Sequence, residues 1–330
     1  MGVISLNVVE EADELTLTST VRRLPAETRR IPDRFNGLIL AAQIAAIFTC
    51  FWAASAMPRG WGLAALAGAF ALLMVGVYSI IHEAEHGCLF TNPRLNVVGG
   101  VISASFFPAP FHLIRQGHIG HHLRNRSDDE AFDLWFQGES PVWKWTQWIG
   151  VLTGVFYVTV VAGNLVVLFL PFLLHRRWFA FDRPSRAFMD ALNPKYGSII
   201  RAEAIGIIGL HALIVWLMNI PLVSYISLYA AFGILWSGLQ YVHHYGTERH
   251  ITRGARNLRL WWPVDKLWLN HNWHRVHHEH PTISWIHLER IGKAEGDDRA
   301  YLPMAYLRMW SGPRKATTHV ENLFAGKVIR

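Results

Sequence analysis

Two runs near the amino terminus, residues 37–56 (GLILAAQIAAIFTCFWAASA) and 62–81 (GLAALAGAFALLMVGVYSII), hold no formally charged side chain. Each is about twenty residues long, which as a helix crosses about 30 Å of hydrocarbon. Two later runs, 202–219 and 221–242, are separated only by the turn Asn219-Ile220-Pro221 and interrupted only by Glu203 and His211. The pattern predicts four transmembrane helices arranged as two hairpins. Two further apolar stretches do not fit as simple spans. Residues 97–111 are short and contain Pro108 and Pro110, which reads as an interfacial segment. Residues 149–174 are long enough to cross, but the following 27 positions hold Arg176, Arg177, Arg183, Arg186, Lys195 and Arg201. A fifth crossing would also separate the later histidines from the earlier ones. A re-entrant or in-plane path is therefore expected for 149–174, with Asn164 and Pro171 as its breaks.

Composition agrees with a membrane protein: 52% of the 330 residues are hydrophobic, only 17% are charged, and there are 15 tryptophans. Soluble domains carry about a quarter charged residues. No apolar stretch precedes residue 37. The first 36 residues are acidic at Glu10, Glu11, Asp13 and Glu14, then basic at Arg22, Arg23, Arg29, Arg30 and Arg34, and are expected to remain in the cytoplasm. The hairpin tips MPRG (57–60) and NIP hold one arginine between them, so the excess of cations, net +7, follows the positive-inside rule and anionic lipid rather than nucleic acid. Cys50 and Cys88 are too few for a disulfide framework or a thiolate metal site. Histidine must carry any metal chemistry.

The histidines are grouped. HEAEH (His82, His86) lies where the second run ends, HIGHH (His118, His121, His122) follows the interfacial stretch, QYVHHYG (His243, His244) closes the last run, and NHNWHRVHHEHP (270–281) contains His271, His274, His277, His278 and His280. Spacings of three and four residues bring imidazoles to one face of a helix. The three boxes hold eight histidines and His244 is a ninth, too many for one zinc ion and suited to two neighbouring ions. Nitrogen ligands without thiolates suit iron as well as zinc and copper. HEAEH also matches the zinc-protease pattern, which leaves the later boxes unused. A haem protein would need histidines facing each other within spans, where only His211 lies, and a transporter would need paired ionisable groups at mid-membrane.

HEAEH, HIGHH and HRVHH, in this order around two hydrophobic hairpins, resemble the three histidine boxes of the membrane fatty acid desaturase and hydroxylase superfamily over residues 37–290. HHEHPTISWIHL (277–288) is similar to the end of bacterial acyl desaturases, and QYVHHYG resembles the NYxEHYG element of alkane hydroxylases, aligned on His244, with Gln240 where that family has Asn. The resemblance implies an all-α membrane bundle with a cytoplasmic helical cap, in the bacterial inner membrane, divided into a segment 1–36, a catalytic region 37–290 and a tail 291–330. It implies two irons held by His82, His86, His118, His121, His122, His244, His274, His277 and His278. Gln240, Asn270, His271 and Asp128 are expected to support the ligands, and Glu83, Glu85, Asp129 and Glu130 are further candidate partners. The implied reaction uses dioxygen and two electrons to desaturate a fatty acyl chain, with hydroxylation or ketolation of an alkane or carotenoid as the alternative. No HPGG haem segment or paired CxxC is present, so a separate ferredoxin, rubredoxin or cytochrome is the expected donor. Arg249, Arg253, Arg256, Arg259 and Lys266 are a candidate surface for it.

Overall fold

The computed structural model describes residues 25–329; the expectations for residues 1–24 lie outside this range. Among the described residues, Glu27–Ala56, Trp61–Glu85, Pro194–Leu217 and Leu222–Leu239 are long and apolar enough to cross a membrane. They contain four α-helices: α1 (Asp33–Ala56) and α2 (Trp61–Glu85) form one hairpin, α8 (Gly197–Leu217) and α9 (Leu222–Leu239) the other. α2 and α9 pack together along their length, burying Phe70, Met74, Ile80, Leu228 and Phe232 in one core with Ile47 and Phe51 of α1. Exposed apolar side chains complete the pattern: Trp52 of α1, Ile205 of α8 and Ile234 of α9.

Two bent helical pairs fill the space between the hairpins. α3 (Pro93–Phe106) and α4 (Phe111–Arg124) meet at 101°, and α5 (Pro141–Thr153) and α6 (Val155–Phe169) meet at 91°. Residues 97–111 are thus not a separate surface segment but one arm and the apex of a bend that enters the bundle. The apex breaks the helical ladder and frees four successive carbonyls, each of which receives a donor from a neighbouring helix. His211 Nε2 donates to Ser105 O at 2.7 Å and Tyr229 Oη to Phe106 O at 3.0 Å. Tyr157 Oη donates to Phe107 O at 3.5 Å and Asn164 Nδ2 to Pro108 O at 2.8 Å. Irregular backbone away from water persists only where protein groups satisfy it in this way. His211, inside α8, is therefore bonded to the apex, with its Nδ1 facing Tyr225 Oη.

The second bend lies at Gly154, not at Asn164. Gly154 has φ +93° and a Cβ there would lie 3.0 Å from the Ile234 backbone, so both conformation and space require glycine. Asn164 sits inside α6, and Leu170-Pro171 ends it. Tyr157 rests on Gly233 of α9 and Val167 packs with Ile200 and Ala204 of α8. Both levels are near the same end of the bundle, so α6 runs across it, consistent with the in-plane path expected for 149–174.

The remaining elements cover that end: α7 (Arg183–Ala191), α10 (Trp262–Leu267), α11 (His274–Glu279), α12 (Trp285–Ala294) and α13 (Leu302–Met309). Two short parallel pairs, β1 (Leu134–Trp135) with β4 (Arg314–Lys315) and β2 (Leu258–Arg259) with β3 (Ala300–Tyr301), tie distant segments together. The cap is docked on α2 through Gly76, where a Cβ would lie 2.6 Å from Leu267 O, and through Trp268 Nε1, which donates to Leu72 O at 2.9 Å.

Candidate metal centre

The histidine boxes meet where α2, α4, α11 and the turn after α9 converge. The nine expected ligands form two sets, and within each set one nitrogen per ring lies within 4.8 Å of all the others. His82, His86, His118, His122 and His277 form one; His121, His244, His274 and His278 form the other. The sets adjoin, with the His122 and His278 rings stacked at 4.1 Å between centroids.

Helix geometry explains the division. A step of four residues turns about 40° past a full circle and a step of three falls about 60° short, so the two directions differ by about 100°. His82 and His86 are an i, i+4 pair in the first set, as are His118 and His122, while His121 turns to the second. On α11 the pair His274 and His278 faces the second set and His277 the first. Each HxxHH box therefore serves both sets rather than one common point. His86 continues α2 as its cap residue, in helical conformation. His244 is held by the turn that follows α9, not by a helix.

The inward nitrogens are Nε2. In the first set His86 and His118 Nε2 are 2.7 Å apart, His118 and His122 3.1 Å, and His122 and His277 3.0 Å. In the second, His244 and His274 Nε2 are 3.1 Å apart, and His274 and His278 3.2 Å. His82 Nε2 is buried without a hydrogen-bond partner among the described residues. Converging lone pairs on neutral rings repel unless a cation stands between them, so both donor sets fit a metal ion. The rings are poised to be neutral: burial first, and neighbouring imidazoles second, push His86, His274, His277 and His278 well below the usual histidine pKa. His244 is lowered in the same way.

Two outer nitrogens fix their tautomers. His244 Nδ1 donates to Gly254 O at 2.8 Å and His121 Nδ1 to Glu130 Oε1 at 3.1 Å, leaving each Nε2 with its lone pair directed inward. Glu130 also accepts from Arg124 Nε at 2.7 Å. Burial alone would raise this carboxyl, but Arg124 and the His121 hydrogen bond hold it below the usual carboxylate range. Glu85 Oε2 is 3.9 Å from His118 Nδ1, and Glu83 accepts from Ser284 Oγ and Trp285 N, both at 3.1 Å, capping α12.

The other expected supporting residues are placed differently. His271 contacts His82 ring to ring at 4.6 Å and stands outside both sets, as does His243, which packs on His274 at 4.5 Å. Burial lowers His271 to about 4 and, with His271 nearby, His243 to about 3. Gln240 donates back to Trp236 O of its own helix. Asn270 joins Lys266 Nζ to Trp285 O. Asp128 bonds Arg249, His319 Nδ1 and Val320 N, and Asp129 bonds Asn322. Of the cations read as a docking surface, Arg249, Arg253 and Lys266 are ion-paired to Asp128, Glu248 and Glu289, and Arg256 donates to Tyr245 O. Arg259 is exposed on β2.

Sequence spacing did not reveal the clamp that holds His244. Arg126 pairs with buried Asp133 and donates to Tyr241 Oη at 2.8 Å, and Asp133 Oδ2 accepts from Gly246 N at 2.8 Å. Asn125 Nδ2 donates to Ile251 O at 2.7 Å. The segment just after box two thus grips both sides of the His244 turn. The only available signal was an unusual density of polar residues in NRSDDEAFD (125–133).

No curated protein sequence matches the chain. A family model, fatty acid desaturase, matches residues 59–313, which contain both sets of histidines. The chain therefore belongs to the fatty acid desaturase family and is an integral membrane oxidoreductase of the desaturase and hydroxylase kind.

Proposed function

We propose that the chain holds two irons, one at His82, His86, His118, His122 and His277 and one at His121, His244, His274 and His278, and desaturates a fatty acyl chain. The observation that carries this reading is the division of all nine histidines into two adjoining nitrogen-only sets. Iron bound there supplies the capacity to activate dioxygen and to remove hydrogen from an unactivated carbon. The protein's own contribution is positional. Glu130 and Gly254 O orient His121 and His244, the Arg126–Asp133–Tyr241 clamp fixes the turn, and the buried apolar side chains of α2 and α9 exclude water.

Electrons come from a separate ferredoxin, rubredoxin or cytochrome-type carrier. We place the catalytic region at residues 37–290, between the segment 1–36 and the tail 291–330, with the histidine end of the bundle at the cytoplasmic face of a bacterial inner membrane. The arginine-rich flanks and cation-poor hairpin tips support that orientation. Desaturation is preferred to hydroxylation on the likeness of HHEHPTISWIHL to acyl desaturases.

Mass spectrometry of lipid extracts from cells expressing the chain, beside His121→Ala, tests the reaction. Loss of two hydrogens from an acyl lipid only with the intact chain is expected. Gain of one oxygen makes the reaction hydroxylation, and identical extracts from cells whose protein carries two irons contradict action on host acyl lipids.

A further inference from the structure

A cavity of about 480 Å³ opens beside the carboxyl end of α4, where Arg124, Arg176, Arg177, Arg186 and Lys327 line it against the carboxylates of Asp129 and Asp190. Both carboxylates are engaged: Asp129 accepts from Asn322 Nδ2 at 2.9 Å and Asp190 lies 3.6 Å from Arg176. Five cations against three anions, counting the Glu130 carboxylate paired with Arg124, leave a positive hollow of a size common for small-ligand sites.

Arg124 points to what fills it. Its side chain is 3% exposed, and its Nε is taken by Glu130. Its Nη1 is buried with no hydrogen-bond partner among the described residues. Gly120 makes room for this group, since a Cβ there would collide with Nη1. A buried guanidinium nitrogen left unpaired is costly, and such exceptions call for an explanation. Nη1 itself packs against Gly120, and the same side chain lines the cavity, so its third nitrogen, Nη2, is the one left for a ligand there.

We propose that this cavity binds a phosphate group, held by the Arg124 guanidinium with Arg186 and Arg177. Arginine forks match tetrahedral oxyanions better than single carboxylates, and a dianion suits the surplus of cations. The surroundings favour the headgroup of a membrane amphiphile as its source: Phe172, Trp178 and Phe181, next to the same turn, are exposed, and Arg177 stacks on Trp178 at 4.8 Å. Tryptophan collects at headgroup level, and Trp178 carries this argument. The site does not rest on the di-iron reading, and binding is measured without turnover.

The test uses the purified full-length protein in detergent, stripped of lipid, with two probes. One is phosphatidylglycerol in mixed micelles, counted by native mass spectrometry; the other is inorganic phosphate, titrated by calorimetry. Chloride at equal ionic strength is the control. Saturable binding is expected, weakened about tenfold by Arg124→Gln. The double variant Arg177→Gln/Arg186→Gln, whose side chains are less buried, is expected to weaken it at least as much and keeps the test open should Arg124→Gln unfold. Retained phosphatidylglycerol assigns the phosphate to a lipid. Binding of inorganic phosphate without lipid retention assigns it to a soluble phosphate ester, and the site stands. Absence of saturable binding by either probe, equal displacement by chloride, or affinity unchanged in the folded double variant would overturn it.

Discussion

Replacing Glu130 by glutamine should damage one metal set and spare the other. The carboxylate accepts Arg124 Nε at 2.7 Å through one oxygen and His121 Nδ1 at 3.1 Å through the other. An amide offers one acceptor, so one of the two donors must face an N–H₂. The exposures of Arg124 and Glu130, 3% and 7%, leave little solvent to screen the loss. Breaking a buried pair of this kind costs about 3–5 kcal/mol, and glutamine keeps enough hydrogen bonding to place the expected loss near the lower figure, about 3 kcal/mol. The His121 ring loses its anchor at the same time, and loss of such a support typically lowers metal affinity about 10–100-fold. Among the described residues, no hydrogen bond joins the five-histidine set to Glu130. Iron-loaded Glu130→Gln dialysed against chelators of graded strength should therefore release one iron much earlier than wild type and keep the other. Asp129→Asn, whose carboxylate bonds only Asn322 among the described contacts, is the control. If Glu130→Gln retains both irons and unfolds at the wild-type temperature, the assignment of Glu130 as the support of His121 is wrong.

Gly154→Ala forces a left-handed conformation and a contact with the Ile234 backbone; a loss of roughly 2–4 kcal/mol is expected in detergent thermal unfolding, and a neutral substitution would contradict the bend. Asn164→Leu leaves Pro108 O without its 2.8 Å donor and should cost about 1–3 kcal/mol, against no measurable change for exposed Thr159→Ala. Burial opposes ionisation of Asp128, but Val320 N–H, His319 and Arg249 together hold its pKa below the ordinary aspartate value. A depressed pKa contributes stability above the unfolded value and loses it as pH falls through the folded one, so the segment after β4 should detach below about pH 4. Trypsin cleavage at Arg314 and Lys315 should rise in Asp128→Asn at neutral pH; unchanged cleavage would remove Asp128 as its anchor.

The spans and the boxes were legible because each is periodic within one short segment. Twenty uncharged residues have few other homes than lipid, and histidines at three and four residues apart must share a helical face. Their division between two sets was not legible, because a single box cannot say what stands opposite its two directions. Helix geometry turns His121 and His277 away from their neighbours, but which set each joins is decided by the residues that α2, α4, α11 and the His244 turn bring together. The bend at Gly154 was missed for a related reason. A glycine in an apolar run carries no polar mark, whereas Asn164, which does, proved to be a donor to the apex of the other bent pair. The Arg126–Asp133–Tyr241 clamp joins residues more than a hundred positions apart, beyond any local pattern.

His277 and His278 are adjacent on α11 yet face different sets, and counting iron in two variants tests the central claim most directly. Wild-type protein purified after ferrous loading should hold two non-haem irons per chain; His277→Ala should lose the iron of the five-histidine set and His278→Ala that of the four-histidine set, each keeping the other. A wild-type chain that binds one ion or none, or variants that both retain two, would contradict the two-centre account.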